Sequence, residues 1–371
     1  MSIDQTTGTG RTPIRVEPNS APVDPARREE ILSAPGFGVH FTDHMTVIEW
    51  TPDQGWHDAR VQPYGPLSLD PATAVLHYAQ EIFEGMKAYG HDDGSVWMFR
   101  PDANGERFRR SARRLALPEL PVETFLAAIE TQVRTDAAWV PHGGETSLYI
   151  RPFMYASEAF LGVRPARHVT FCVITSPAGS YFSGGVQPVS IWLSQEYTRA
   201  APGGTGAAKC GGNYASSLAA QQEAAANGCD QVAFLDAVER RFVEELGGMN
   251  LYFVHGDGSV VTPELNGSIL EGVTRDSILT LLDDSGHKVE ERPFTIDQWR
   301  DGVAFGDITE VFACGTACVV TPVGTLRWPD GEARLGDGTS TGPVTAAVRR
   351  DLLDVQYGRA EDRYGWMHRV G

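Results

Sequence analysis

Several things are missing from this sequence, and each absence excludes a class of protein. No apolar run is long enough to span a bilayer. Positive charge is scarce: 31 Lys plus Arg stand against 48 Asp plus Glu, a net charge of −17. That balance disfavours nonspecific nucleic-acid binding, which needs a basic footprint. The acidic residues are spread along the chain and serve solubility. Cysteine is sparse, with five residues (Cys172, Cys210, Cys229, Cys314, Cys318) and no disulfide-framework spacing. A cytoplasmic compartment is therefore expected. Cys314 and Cys318 have no second pair and no nearby histidines, and zinc needs about four ligands. No metal site is expected. The segment from Met1 to about Pro25 lacks the basic-then-apolar layout of a signal peptide and reads as a flexible arm. There is no internal repeat.

What is present is a chain of 371 residues, 42% hydrophobic and 21% charged, too long for one typical core. The expected division is an arm over 1–30, a small domain over 31–177, a Gly/Ser/Pro-rich loop over 178–188 and a large domain over 189–371. Strand composition marks Phe37–Trp50, Ser147–Pro152, His168–Thr175, Val189–Leu193 and Gln231–Leu235. Asp70-Pro71 signals a helix start, His91-Asp-Asp-Gly94 a hairpin, and Phe99–Arg110 leads into a basic amphipathic helix. Further helices are expected over Leu120–Glu130, Asp276–Leu282 and roughly Pro343–Gln356. Strands and helices are mixed and do not alternate regularly, which favours α+β over a doubly wound sheet.

The stretch Gly203–Gln222 organises the rest. It carries five glycines within ten residues, and Lys209 is the one charged residue between Arg199 and Glu223. Glycine permits close backbone approach, so the segment describes a tight pocket wall. One reading is a phosphate loop, but Ala208 replaces its last glycine and Cys210 its magnesium-binding hydroxyl. Another is an amine that forms a Schiff base with a carbonyl or with pyridoxal phosphate. A desolvated pocket of small residues lowers a lysine pKa from its usual value of about 10.4. The third is an ordinary loop lysine.

Lys209 followed by Gly-Gly-Asn-Tyr214 is one of five collinear motifs. The others are Phe83-Glu-Gly-Met-Lys-Ala88, Tyr149-Ile-Arg151, Glu245-Leu-Gly-Gly-Met-Asn250 and Gly315-Thr-Ala-Cys-Val319. Together they resemble the branched-chain amino acid aminotransferases, which are fold-type IV pyridoxal-phosphate enzymes. The resemblance runs from about Phe37 to Trp366. It implies a D-amino acid aminotransferase-like fold, with a small α/β domain and a larger β-rich domain carrying the lysine. The implied cofactor is pyridoxal 5'-phosphate. The implied reaction is reversible, ping-pong amino transfer between L-leucine, L-isoleucine or L-valine and 2-oxoglutarate.

Carried over by position, the resemblance makes Lys209 the Schiff-base amine and proton shuttle. Tyr214 is placed on the cofactor's phenolate oxygen and Glu245 at its pyridine nitrogen. Arg107, Val273, Thr274 and Thr316 are placed at the phosphate. Physical chemistry agrees with the role given to Glu245: a carboxylate about 4 Å from a cationic ring nitrogen is worth roughly 4 kcal/mol at an effective dielectric near 20. Arg107 is one of six arginines between Arg100 and Arg114, and the resemblance alone selects it. The free N–H groups at a helix entry suit a phosphate at Val273-Thr274. For substrate, Phe37, Tyr78, Phe83, Tyr149 and Tyr181 match the family's pocket wall and Arg151 its polar side. The Thr316-Ala317 backbone and the Tyr78 hydroxyl are placed on the α-carboxylate. The aromatics also suit plain core packing, and Phe83 serves either use.

The resemblance further implies a homodimer with shared sites, in which Tyr78 and a Leu161-Gly-Val163 loop come from the neighbouring subunit. Two departures stand out. Thr321 replaces the second cysteine of a Cys-x-x-Cys pair found in mammalian relatives, so that redox switch is expected to be absent. Gly248 replaces a threonine found near the pocket in some relatives. A lyase of the same fold is disfavoured by the Tyr149-Ile-Arg151 strand. A D-amino acid aminotransferase is a nearer rival, and a non-enzymatic binding protein has little use for both Lys209 and Glu245.

Overall fold

The computed structural model describes residues 13–179 and 186–371. Two nine-stranded sheets form its frame. Strands of the first are β1 (Arg15–Val16), β2 (His44–Thr51), β3 (Gly55–Pro63), β4 (Glu81–Phe83), β5 (Met86–Gly90), β6 (Val96–Phe99), β7 (Ser147–Ala156) and β8 (Val169–Ala178). The second holds β9 (Val189–Leu193), β10 (Gln231–Leu235), β11 (Val243–Leu246), β12 (Asn250–His255), β13 (Val260–Thr262), β14 (Val289–Glu291), β15 (Ile308–Gly315), β16 (Val319–Trp328) and β17 (Gly331–Arg334). A last strand, β18 (Met367–Arg369), returns to pair with β6 of the first sheet.

The first sheet runs β1-β3-β2-β8-β7-β5-β6-β18, with β4 on β7. All its pairs are antiparallel except β1 with β3. The second runs β11-β10-β9-β16-β15-β12-β13-β14, with β17 on β16. Parallel pairing there is confined to β9 with β10, β9 with β16, and β13 with β14. This is the α+β arrangement expected.

Alternate residues of a strand face opposite sides of the sheet, and along β12 both sides are buried. Tyr252 and Val254 join Phe312, Leu282 and Leu352 under the helices Val273–Asp284 and Pro343–Gln356. Leu251 and Phe253 join Phe294 and Trp299 on the other face. A continuous apolar run is what a strand covered on both faces needs. In the first sheet, Phe171 packs with Phe108 and Phe125 from the helices Pro101–Arg114 and Val122–Thr135. The helix Pro101–Arg114 starts with proline at its first position and buries Asn104, Arg107, Phe108, Ser111 and Ala112. Those spacings of three and four residues mark one helical face.

Local expectations shift in four places. Residues 37–43 form no strand; Gly36 and Gly38 take positive φ (66° and 69°), and β2 begins only at His44. Asp70 does not cap a helix but accepts from Ala72 N–H in a turn, and the short helix Ala74–Tyr78 follows. The helix expected from Asp276 already begins at Val273. Within the expected arm, β1 pairs with β3 and Pro25–Ser33 is helical, capped by the Asp24 side chain. Among the described residues no helix is long and apolar enough to cross a membrane.

Candidate active site

Lys209 is fixed from several directions before its amine is considered. Its N–H donates to Ser111 Oγ (3.0 Å), and its carbonyl accepts from Phe83 N–H (2.9 Å). Asn213 braces the loop behind it by donating to the Ala208 and Thr205 carbonyls, each at 2.8 Å. The glycine-rich segment is thereby tied to the first sheet and to the helix Pro101–Arg114. The amine Nζ lies 2.9 Å from the Tyr214 hydroxyl, 5.1 Å from the centre of the Phe83 ring and 5.5 Å from that of Tyr214.

A cavity of about 240 Å³ opens beside this amine. Among the sequence-predicted residues, Phe37, Phe83, Tyr149, Arg151, Tyr214, Thr316 and Ala317 line it with Lys209. Arg151 stacks over the Phe83 ring at 4.7 Å and donates from Nη2 to the Tyr149 hydroxyl at 2.9 Å. Phe37 meets the Tyr149 ring edge-on at 5.0 Å. A larger polar cleft, about 790 Å³ and lined by Arg241, His255 and Arg292, holds none of the predicted residues. Position relative to the amine, not size, identifies the site.

Glu245 lies in β11, where adjacent side chains point to opposite faces. Its neighbour Glu244 accepts from the Ser268 hydroxyl at 2.6 Å. Glu245, 3% exposed, forms an ion pair with Arg199 and accepts from Leu270 N–H at 3.0 Å. Burial pushes its carboxyl up to about 7 against the pull of Arg199 and of that N–H. Arg107 makes a two-point ion pair with Glu84, and its Nη1 donates to the Glu271 carbonyl at 3.0 Å. Val273, Thr274 and Thr316 line one small recess. The helix Val273–Asp284 enters this recess from Gly272 without a side-chain cap, and its first N–H groups are the free donors of a helix start.

Arg107 and Glu245 line neither the cavity nor the recess, and Tyr78 stands apart from both. Tyr78 is exposed, donates to the Leu161 carbonyl of its own chain and does not line this cavity. Tyr181 lies outside the described residues.

Sequence reasoning missed Lys87, Arg199 and Glu84. The Lys87 amine donates to the Ala317 carbonyl at 3.0 Å, bridging the two sheets. Burial brings this amine down to about 8. A signal existed: the sequence has three lysines, Lys87, Lys209 and Lys288, and Lys87 lines the recess beside Thr316 while Lys209 lines the cavity. Arg199 had none, because its partner Glu245 is distant in sequence.

The structure thus holds an amine beside a phenol, a buried carboxylate and an uncapped helix entry, the kinds of group that an aldehyde, a ring nitrogen and a phosphate would need. The two-sheet fold is that of the fold-type IV enzymes. The amino-transferase class IV family model matches residues 81–326, and the chain belongs to that family. It is 60% identical over 356 residues to a probable branched-chain-amino-acid aminotransferase of Streptomyces coelicolor, covering 96% of this chain and 98% of that one. It is 55% identical over 366 residues to the branched-chain-amino-acid aminotransferase of Mycolicibacterium smegmatis (98% and 99% covered). A crystal structure of the T.th. branched-chain amino acid aminotransferase complexed with N-(5'-phosphopyridoxyl)-L-glutamate superposes with a TM-score of 0.71. That pair is 30% identical and covers 87% and 98% of the two chains.

Proposed function

We propose that this chain is a pyridoxal-phosphate-dependent branched-chain aminotransferase. It moves the amino group between L-leucine, L-isoleucine or L-valine and 2-oxoglutarate, one substrate leaving before the other binds. The observation that carries this reading is the Lys209 amine, 2.9 Å from the Tyr214 hydroxyl, in a cavity with Arg151 and aromatic rings on its wall. Relatives at 55% and 60% identity bear that activity in their names.

Bound in this cavity, pyridoxal phosphate supplies an aldehyde and an electron-accepting ring. Lys209 Nζ takes the proton from the substrate Cα and returns one to the acceptor. The Tyr214 hydroxyl orients that amine and donates to the ring oxygen. Glu245, kept in place by Arg199, holds a proton at the ring nitrogen. Arg107, with the entry of the helix at Val273-Thr274 and with Thr316, receives the phosphate. Phe37, Phe83 and Tyr149 face the hydrocarbon chain. Arg151, reached through the Tyr149 hydroxyl, takes the second carboxylate of the acidic substrate. The Thr316-Ala317 backbone takes the α-carboxylate.

Tyr78 completes that carboxylate site from the partner subunit of a homodimer. This assignment is supported by its exposure next to the apolar Leu76, Leu161 and Val163, which are also exposed. The lobes 31–177 and 189–371 meet at the site, and the enzyme works in the cytoplasm. The test is purified protein given L-leucine and 2-oxoglutarate, with L-glutamate measured. Formation of L-glutamate supports the reading. Transfer from D-alanine with none from L-leucine contradicts it.

A further inference from the structure

Gly85 stands between β4 and β5, and both strands pair with β7 in one register. Phe83 lies opposite Phe153, and Met86 lies opposite Ile150. Continuing that register sets Gly85 across from Arg151. Its φ is not positive, so the backbone itself does not call for glycine. The neighbouring side chain does. A Cβ built on Gly85 would overlap the Tyr149 hydroxyl oxygen and lie 3.1 Å from its Cζ. Tyr149 has little freedom to yield: it is buried, its ring is met by Phe37, and its hydroxyl accepts from Arg151 Nη2 at 2.9 Å. Arg151 keeps its buried Nε without a partner among the described residues, so the Tyr149 hydroxyl is its one side-chain hydrogen bond there.

We infer that Gly85 is a specificity-determining residue: its missing side chain is the space in which the Tyr149 hydroxyl sits to aim Arg151 at the acidic substrate. This rests on the reading that Arg151 takes the second carboxylate of glutamate and 2-oxoglutarate. The branched aliphatic substrates carry no second carboxylate and need the ring surfaces instead. A methyl at position 85 therefore acts selectively. It displaces the hydroxyl, frees the guanidinium to turn, and weakens a charge-assisted contact made by only one of the two substrate classes.

The ping-pong reaction allows each half to be measured alone, by mixing holoenzyme with L-leucine or with L-glutamate and following the cofactor's absorbance. In Gly85→Ala, the ratio of kcat/KM for L-leucine to that for L-glutamate should rise about 10-fold or more, the scale of one lost hydrogen bond to a charged group. Tyr149→Phe removes the hydroxyl. In that background, adding Gly85→Ala should change the ratio less than about 3-fold, because the overlapped atom is gone and the two substitutions are coupled. If Gly85→Ala alone fails to fold, the double variant should recover folding and cofactor binding. An unchanged ratio, an equal effect in both backgrounds, or a double variant as unfolded as the single overturns the inference. Parent protein that reacts with L-glutamate but not L-leucine instead contradicts the branched-chain reading itself, and that control is run first.

Discussion

Glu84 and Arg107 form a two-point ion pair in the interior, with Nε to Oε1 at 2.7 Å and Nη2 to Oε2 at 2.8 Å. Their side chains are 0% and 4% exposed. Asn104 donates to the same carboxylate at 2.8 Å. Charges buried this deeply depend on each other, since either one left alone keeps its desolvation cost without the attraction.

Glu84→Gln should therefore destabilise the protein by about 3–5 kcal/mol, read by urea unfolding. The acid side adds a second check. Burial raises the Glu84 carboxyl, but the charge and hydrogen bonds of Arg107 outweigh it and hold the carboxyl below its ordinary range. A depressed folded pKa gives stability that is full above the unfolded value of about 4.3 and lost as pH falls through the folded one. The parent should lose stability in that acid window, and Glu84→Gln should lose less.

Glu245 behaves with the opposite sign. In cofactor-free protein its carboxyl is raised to about 7 by burial, against Arg199. Between the unfolded value of about 4.3 and the folded one, the native state binds more protons, so stability falls as pH rises. Glu245→Gln should flatten the unfolding free energy of cofactor-free protein between pH 5 and about 7. A slope equal to the parent's would show that another group titrates there.

How much of this was legible beforehand differs residue by residue. Lys209 stands out in the sequence because small residues surround it, and the mixed strand order marked the chain as α+β. The hairpin at Gly94 and the final helix Pro343–Gln356 fell where turn chemistry and proline placed them. Residues 37–43 looked like a strand because composition does not encode the positive φ of Gly36 and Gly38 at their start. Contacts such as Arg199 with Glu245 and Lys87 with Ala317 join distant segments, and single-chain periodicity carries no signal for such pairs. Only the resemblance proposes Tyr78 for the site, since its own chain leaves it on the surface.

The Lys87 bridge to Ala317 bears on substrate affinity. Removing the ammonium in Lys87→Met should loosen the Thr316-Ala317 turn and raise KM for both amino acids about 10-fold, the scale of a hydrogen bond to a charged group. The effect on kcat should be smaller. Because burial brings the parent amine down to about 8, its KM should climb above that pH. Lys87→Arg, which stays charged, should remove the climb. Equal KM values in parent and Lys87→Met would show that the turn holds itself.

Assembly gives another expected outcome. Val163 is 88% exposed and lies near Leu161, whose carbonyl meets Tyr78. Light scattering of the parent should give twice the chain mass. Val163→Asp should shift it toward the single chain and lower transfer activity together, as a shared site requires. A fully active single chain would contradict the assignment of Tyr78 to the partner's site.

The most direct measurement of the central claim is amino transfer from L-leucine to 2-oxoglutarate by Lys209→Ala protein loaded with pyridoxal phosphate. Removing a group that moves the Cα proton should cost at least about 10²–10⁴-fold in kcat. Turnover at the parent rate would contradict the account, because another base would then be moving that proton.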